Sequence, residues 1–140
     1  MSQTPMKPVK VIEPQQNRVR RAFISVFDKT DIVEFAQNLN KLGIEIVSSG
    51  GTAKAISDEG IPVTTVEDIT GFPAMLDHRV ATLHPNVHGG LLADLANQGH
   101  VDELNKYNIE PFQLIVNNLY PFTSKPGIEN IDIGGPALIR

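Results

Sequence analysis

The sequence contains no cysteine and no long apolar run. Without cysteine, disulfide bonds, thiolate nucleophiles and cysteine–zinc sites are excluded. No segment approaches the roughly 18 consecutive apolar residues that are needed to cross a bilayer. Residues 1–21 also lack the apolar stretch of a secretory signal. We therefore expect a cytoplasmic protein that has no membrane partner.

Basic charge is scarce as well: 12 Lys and Arg residues stand against 16 Asp and Glu residues, for a formal net charge of −4. Because nucleic-acid binding usually requires a basic face, we predict no nucleic-acid partner. A small phosphorylated molecule needs only a local positive site, which this net charge does not oppose. The 140 residues, 41% of them hydrophobic and 20% charged, suit one compact domain with its own core.

The chain divides into a short tail and one domain. Residues 1–17 are rich in Pro, Gln and Lys without any period, which predicts a flexible N-terminal tail. In residues 18–140, apolar runs alternate with amphipathic segments, and this order predicts an α/β fold with a parallel sheet and helices on both faces. The predicted strands are 21–27, 44–48, 62–66 and 114–118, and the predicted helices are 32–42, 53–59, 100–107 and a helix that begins at Gly134.

Element ends and loops carry further local signals. Asp31 followed by Glu34 resembles a capping box, and Gly43 stands where a helix C-terminus favours a positive φ. Residues 68–90 show no period and are predicted to be mostly loop, with one helical turn at 74–76. Long irregular segments inside compact domains are often functional, so this loop is a candidate for the site.

Polar turns follow three of the predicted strands, at 27–30, 49–52 and 118–122. In parallel sheets, ligands bind beyond the carboxyl ends of the strands, so these turns should converge on one edge. The turn Ser49-Gly50-Gly51-Thr52 leads into a helix, where free amides, hydroxyls and the helix dipole can hold a phosphate. The alternative is a tight turn that binds nothing. Lys29 could neutralise the same phosphate, or it could be a solvated lysine at a helix start.

Other polar positions also have two interpretations. His84 and His88 have the spacing of a metal pair, but Pro85 between them should break the helix that would align them. We therefore predict no metal and interpret both histidines as loop-stabilising hydrogen-bond residues. Tyr120 at a strand end is a packing or a ligand residue. Asp132 precedes a glycine turn, where it would cap a helix or shuttle a proton.

Taken together, these segments resemble the N-terminal IMP cyclohydrolase domain of the bifunctional formyltransferase/IMP cyclohydrolase family of purine biosynthesis. The resemblance covers residues 21–140 and rests on these motifs in order: Ile24-Ser-Val-Phe-Asp-Lys-Thr30, Ser48-Ser-Gly-Gly-Thr-Ala-Lys54, Thr70-Gly-Phe-Pro73, residues 79–90, Asn118-Leu-Tyr-Pro-Phe122 and Ile131-Asp-Ile-Gly-Gly-Pro136. It implies a methylglyoxal-synthase-like fold and closure of 5-formamidoimidazole-4-carboxamide ribonucleotide to IMP and water, without metal or cofactor. It also implies a homodimer and a formyltransferase domain in the full-length family protein.

The resemblance also assigns site residues. One set would hold the purine nucleotide, largely through its phosphate: Ser25, Lys29, Ser49, Gly50, Gly51, Thr52, Arg79 and Thr82. A second set would surround the base: Asn118, Tyr120, Asp132 and Gly134. Within it, Tyr120 and Asp132 are the candidates for proton transfer, and the amides near Gly134 are the candidates for stabilising the oxyanion.

The sequence departs from the family pattern at several positions. Ala81 stands where the family has an active-site lysine, and a second family lysine would fall beyond Arg140. Phe27 replaces a small polar residue, His78 a glycine and Asn117 an apolar residue. Loss of one stabilising group of this kind commonly costs about 10²–10³ in rate. Binding can survive that loss.

Three functional hypotheses follow. The chain is an IMP cyclohydrolase, weak or intact; or a non-catalytic nucleotide- or phosphate-binding module, which Ala81 favours; or a structural fragment that binds another chain. The sequence stops at Arg140, about one turn into its last helix, which predicts either a domain truncated at its C-terminus or a last turn that packing holds in place. The early stop favours the third hypothesis. A methylglyoxal synthase is less favoured, because the motifs at 118–122 and 132–136 are those of the purine enzyme.

Overall fold

A parallel four-stranded sheet forms the centre of the fold, in a computed structural model that describes residues 6–13, 17–128 and 131–140. The strand order is β3-β2-β1-β4, with every pair parallel. The elements of the described residues are β1 Arg21–Val26, α1 Ile32–Lys41, β2 Glu45–Ser48, α2 Gly50–Ser57, β3 Thr64–Thr65, α3 Val66–Thr70, α4 Pro85–Leu92, α5 Gln98–Tyr107, β4 Leu114–Asn118 and α6 Gly134–Ile139.

Helices cover both faces of this sheet, because successive side chains of a strand point to opposite sides. On one face, residues of β1 and β2 pack against α1 and α2; the buried members include Ala22, Ile24, Val26, Ile32, Ala36, Leu39, Ile46 and Ile56. On the other face, β1 and β2 meet α3, α4 and α6 through Phe23, Val47, Val66, Val87, Phe112 and Leu138. The predicted α/β fold with a helix-covered parallel sheet is confirmed.

The ends of several elements differ from the prediction. Strand β3 has two residues rather than five, because Thr65 begins α3 with a capping box in which its side chain accepts from the Asp68 amide. Helix α2 begins at Gly50, three residues before the predicted start, so the glycine turn is itself the first turn of the helix. Strand β4 has the predicted bounds.

The start of α1 corrects another prediction. Asp31 adopts a left-handed φ of 59° and makes no capping hydrogen bond through its side chain, so the predicted capping box is wrong. Instead, the Asp28 carboxylate accepts hydrogen bonds from the amide and hydroxyl of Thr30 (2.9 and 2.6 Å). Gly43 has the expected positive φ of 77°.

The segment 68–90 contains more regular structure than predicted. Helices α3 and α4 occupy its two ends, whereas the predicted turn at 74–76 is not helical. An antiparallel bridge between Met75 and Val80 closes a tight turn there. Three successive residues in this turn, Leu76, Asp77 and His78, have φ values of 54°, 56° and 65°. Left-handed conformations cost about 1–2 kcal/mol in residues other than glycine, so the turn is strained.

The two histidines near Pro85 differ in their contacts. Pro85 does not break a helix but begins α4, at a position where its missing N–H costs nothing. His84 caps that helix, since its Nδ1 accepts a hydrogen bond from the Asn86 amide at 3.0 Å. The predicted hydrogen-bonding role is therefore confirmed for His84. It is not found for Nε2 of His88, which is buried without a partner among the described residues.

Part of the predicted N-terminal tail touches the domain. The amide of Val9 donates to Oδ1 of Asn105 (2.7 Å), whose Nδ2 donates back to the Val9 carbonyl (2.8 Å). The Ile12 amide donates to the carbonyl of Leu95 at 3.0 Å. The predicted flexibility of residues 1–17 stays a prediction, and residues 1–5 and 14–16 lie outside the described part. Among the described helices, none is long and apolar enough to span a membrane.

At the amino end of β1, Arg21 joins three parts of the chain. Arg21 is 7% exposed, and its guanidinium bonds through Nε to the Glu45 carboxylate at 3.1 Å and lies 3.5 Å from that of Glu110. It also donates to the Glu110 carbonyl (3.1 Å) and stacks 4.5 Å above the ring of Phe112. This network lies at the sheet edge opposite the site described next, so it serves stability.

Candidate functional site

The carboxyl ends of β1, β2 and β4 open into one cavity of about 780 Å³. The segment 77–83 and the start of α6 complete its walls. All residues that the sequence assigned to the site lie on this cavity: Ser25, Lys29, Ser49, Gly50, Gly51, Thr52, Arg79, Thr82, Asn118, Tyr120, Asp132 and Gly134. Four departures from the family pattern lie on it as well, namely Phe27, His78, Ala81 and Asn117.

The first turn of α2 faces the cavity with backbone donors. Gly50 has a φ of 53°, which turns the chain directly from β2 into the helix. The amides of Gly50, Gly51 and Thr52 have no intrahelical acceptors, because they belong to the first turn. Ser49 makes no side-chain capping bond. This turn therefore presents unpaired donors at the positive end of a helix dipole, as an anion requires.

The ammonium of Lys29 lies beside the same turn. Its Nζ donates to the carbonyls of Val26 and Phe27 at 3.1 and 3.2 Å. The lysine side chain passes over Gly51, where a Cβ would make an ordinary van der Waals contact of 3.5 Å with its Cε. The cation therefore lies next to the amides of this turn. Local positive charge therefore exists at the first turn of α2 despite the net charge of −4.

The hydroxyl of Thr52 ties this turn to β1. Thr52 is 4% exposed; its Oγ1 donates to the Val26 carbonyl (3.0 Å) and accepts from the Val26 amide (3.2 Å). Its proton is therefore used inside the fold, and what Thr52 offers to a ligand is its amide. The sequence-based expectation that the hydroxyls of this turn donate to the phosphate does not describe Thr52 in this structure.

Asn118 acts as a clamp on the loop after β1. Its Oδ1 accepts from the amides of Phe27 (2.6 Å) and Asp28 (2.9 Å), and its Nδ2 donates to the Asp28 carbonyl (2.8 Å). These bonds join residues about 90 positions apart and leave one N–H of the amide for a ligand. The role that the structure shows for Asn118 is to position the loop carrying Lys29.

An aromatic pair forms the rim of the cavity. The rings of Phe27 and Tyr120 meet edge to face, with centroids 5.7 Å apart and an angle of 87° between the planes. Each residue is 45% exposed. The flat faces of such a pair suit contact with a planar ring, and the phenol of Tyr120 is accessible for proton exchange.

Arg79 stands at the end of the strained turn. Its Nη1 donates to the Leu76 carbonyl at 3.1 Å and lies 3.4 Å from the Asp77 carboxylate. About half of the side chain is exposed. A turn held in a sparsely populated conformation beside a ligand-facing arginine is typical of functional sites.

The start of α6 forms the remaining wall. Asp132 lies one residue before the N-cap Ile133, and its Oδ1 accepts a hydrogen bond from the Gly135 amide in the first turn of α6 at 2.9 Å. A Cβ on Gly135 would collide with Asp132 and Leu119, and one on Gly134 would lie 3.1 Å from Oγ1 of Thr82. A larger residue at 135 would therefore displace Asp132 or Leu119, whereas one at 134 would require only a small shift of the Thr82 side chain. The carboxylate of Asp132 lies on the cavity with one oxygen hydrogen-bonded to the Gly135 amide.

One carboxyl group near the site, that of Asp28, has a shifted pKa. Hydrogen bonds from the side chain and then the backbone of Thr30, together with the charge of Lys29, lower the pKa of Asp28 below its ordinary value of 3.8. Asp28 is thus firmly ionised at neutral pH and keeps the loop after β1 in shape. Within the described ranges, no group of three or more His, Asp or Glu side chains could hold a metal ion.

Sequence reasoning assigned no site role to some cavity residues. The sequence predicts no site role for Ala81 and Asn117, which differ from the family pattern, or for Lys54, and all three lie on the cavity. Lys54 forms an exposed ion pair with Asp58 at 2.6 Å. For Asn117, the two-residue period of β4 was an available signal, since it places residue 117 on the same face as Ile115, which packs in the core.

Comparison with known proteins gives consistent results. A model of the MGS-like domain family matches residues 31–137. Curated relatives named "Bifunctional purine biosynthesis protein PurH" from Mycobacterium ulcerans (strain Agy99), Mycobacterium marinum (strain ATCC BAA-535 / M) and Mycobacterium leprae (strain Br4923) are each 55% identical over 130 residues. The match covers 87% of this chain but 25% of each relative, so the chain spans about a quarter of their length.

Among solved structures, the fold is similar to one described as the crystal structure of ForH. The TM-score is 0.74 at 33% sequence identity, and the match covers 86% of this chain and 66% of that one.

Proposed function

The chain belongs to the family of MGS-like domains, and on this basis we propose that it is an IMP cyclohydrolase, an enzyme that binds a nucleotide and closes the second ring of the purine base. The substrate would be 5-formamidoimidazole-4-carboxamide ribonucleotide, and the products IMP and water. The observation that carries the proposal is the convergence of all the assigned residues on one cavity. The identity of 55% to bifunctional purine biosynthesis proteins supports it.

Binding of the substrate phosphate is assigned to the first turn of α2 and to the cationic side chains near it. The substrate phosphate would accept hydrogen bonds from the amides of Gly50, Gly51 and Thr52, with Lys29 and Arg79 supplying positive charge. The imidazole ring would then lie toward the rim. A cavity of about 780 Å³ is large enough for a nucleotide, since ligand pockets commonly span roughly 300–1,000 Å³.

The chemistry is an intramolecular condensation. The carboxamide nitrogen loses a proton and bonds to the formyl carbon, while the formyl oxygen gains a proton. The former formyl carbon then loses its hydroxyl, and one of the two nitrogens bonded to it loses a proton. This step releases water and forms the C=N bond of the closed ring. Tyr120 and Asp132 are the proposed proton carriers, and the amides at the start of α6, near Gly134, would stabilise the oxyanion. Holding the two arms of the substrate in contact supplies much of the acceleration.

Ala81 limits this activity. Its side chain lies on the cavity where the family pattern has a lysine, so a cation is missing from a site that handles a phosphate and a developing oxyanion. The Ala81→Lys substitution should therefore raise the cyclisation rate by about 10²–10³-fold, which is what one such group is commonly worth. Ala81→Met, with a long uncharged side chain, is the matched control and should not raise the rate.

The deciding experiment measures IMP formation from the formamido ribonucleotide by the purified chain against the uncatalysed background. A rate clearly above background establishes the cyclohydrolase. A background rate for both the unaltered chain and the Ala81→Lys variant contradicts it.

Ala81 also favours a second function, in which the chain is a non-catalytic module that binds purine nucleotides or phosphate. This alternative is supported if calorimetry detects nucleotide binding while the cyclisation rate stays at the uncatalysed background. We also propose that the homodimer, the formyltransferase domain and the cytoplasmic location of the family apply to the protein from which this sequence comes.

A further inference from the structure

Asn117 carries a polar atom that the fold leaves unpaired. Its Oδ1 is buried and has no hydrogen-bond partner among the described residues, and the residue lies on the site cavity. A buried carbonyl oxygen without a donor lowers the stability of the folded state, and such atoms are rare in native proteins. An unpaired atom of this kind at a ligand cavity has a direct explanation if the ligand supplies the donor.

The position of Asn117 in β4 shows which face of the sheet its side chain lies on. Residue 117 is the register partner of Ser25 on β1, and Ser25 also lies on the cavity. Two residues earlier, Ile115 packs against the core cluster that contains Phe23 and Leu138. Asn117 therefore continues the core-facing side of β4 into the cavity floor. An apolar residue here would simply extend the core.

We propose that Oδ1 of Asn117 accepts a hydrogen bond from a neutral donor of the bound nucleotide, either a sugar hydroxyl or an N–H of the base, and that Asn117 thereby determines ligand specificity. The inference rests on the function proposed above. A carbonyl oxygen cannot accept from a phosphate dianion and is repelled by it. The phosphate accordingly lies away from Asn117, at the first turn of α2 beside Lys29.

The test compares three ligands by isothermal titration calorimetry on the full chain. IMP carries phosphate, sugar and base; ribose 5-phosphate lacks the base; inorganic phosphate lacks both sugar and base. The main variant is Asn117→Leu, which has nearly the same shape without polar atoms, and Asn117→Val is the smaller alternative if leucine packs poorly. The thermal midpoint of each ligand-free protein is measured alongside.

We expect both variants to bind IMP about 10-fold more weakly while their affinity for inorganic phosphate changes less than twofold. We also expect a higher thermal midpoint without ligand, because the unpaired oxygen is gone. A purely structural role would not raise stability while weakening binding. A parallel loss for ribose 5-phosphate assigns the donor to the sugar, and an unchanged affinity for it assigns the donor to the base.

Two results overturn the inference alone. The first is that the unaltered chain and both variants bind IMP equally well. The second is an equal loss for all three ligands, which would mean that the amide faces the phosphate through Nδ2. If the unaltered chain binds no IMP at all, the proposed function fails and this inference fails with it.

Discussion

Replacing Thr52 with valine should weaken the fold by removing the link between α2 and the end of β1. The two side chains have almost the same shape, so packing is preserved and only the hydroxyl is lost. In the structure that hydroxyl is buried and makes two hydrogen bonds, one to the amide and one to the carbonyl of Val26 (3.2 and 3.0 Å). Both backbone groups therefore hydrogen-bond to the same side-chain atom.

The two losses differ in size. The Val26 amide would be left without this acceptor in a buried position, which costs about 1–3 kcal/mol. The Val26 carbonyl would keep a second donor, since Nζ of Lys29 lies 3.1 Å away, so its loss is closer to about 0.5–1 kcal/mol. The sum is about 1.5–4 kcal/mol, a sizeable part of the roughly 5–15 kcal/mol that stabilises a domain.

Urea denaturation, followed by circular dichroism and extrapolated linearly to water, measures this free energy. Thr52→Ser is the matched control: it keeps the hydroxyl and loses one buried methyl group, at a cost of about 1 kcal/mol. The expected order of stability is unaltered protein, Thr52→Ser, then Thr52→Val. If valine costs less than serine, the hydroxyl does not hold the turn and the reasoning is refuted.

Three further changes test other parts of the structure. His78→Gly should raise the free energy of unfolding by about 0.5–1 kcal/mol, because glycine adopts the φ of 65° without strain; an unchanged or lower urea midpoint would contradict this. Arg21→Lys should lower it by about 1–2 kcal/mol, since a lysine cannot reproduce the planar contacts to Glu45 and Glu110, and an unchanged midpoint would show that those contacts contribute little. Because the folded pKa of Asp28 is depressed, its stabilisation is complete above pH 3.8 and is lost as the pH falls through the lower folded value. An NMR titration of that carboxyl should therefore give a midpoint below 3.8 in the folded protein, and a midpoint at or above 3.8 would contradict the hydrogen bonds to it.

The sequence predicted the architecture well because the relevant signals are local. The apolar run before Phe27 and the run at 114–118 mark strands β1 and β4. The order of strands and helices then requires a parallel sheet, and a parallel sheet places every strand-following turn at one edge. For this reason the sequence alone predicts that the candidate site residues lie together.

The element ends were predicted less well, since they depend on competition between neighbouring signals. Asp31 had the residue type and spacing of a cap, but its left-handed backbone excludes that geometry. Pro85 was interpreted as a helix breaker, whereas it begins a helix that His84 caps. In both cases the residue type was compatible with two conformations, and the surrounding chain selected one of them.

By itself, the sequence determined which segments form the sheet and which polar turns meet at its carboxyl edge, because hydrophobic period and connection order are written along the chain. Only the tertiary structure decided what each polar group does there. The Thr52 hydroxyl is bound to Val26, and the Asn118 amide holds the loop after β1. Oδ1 of Asn117 lacks a partner among the described residues. Hydrogen-bond partners of this kind lie 26 to 91 positions apart, and their choice depends on packing distances that no spacing in the sequence specifies.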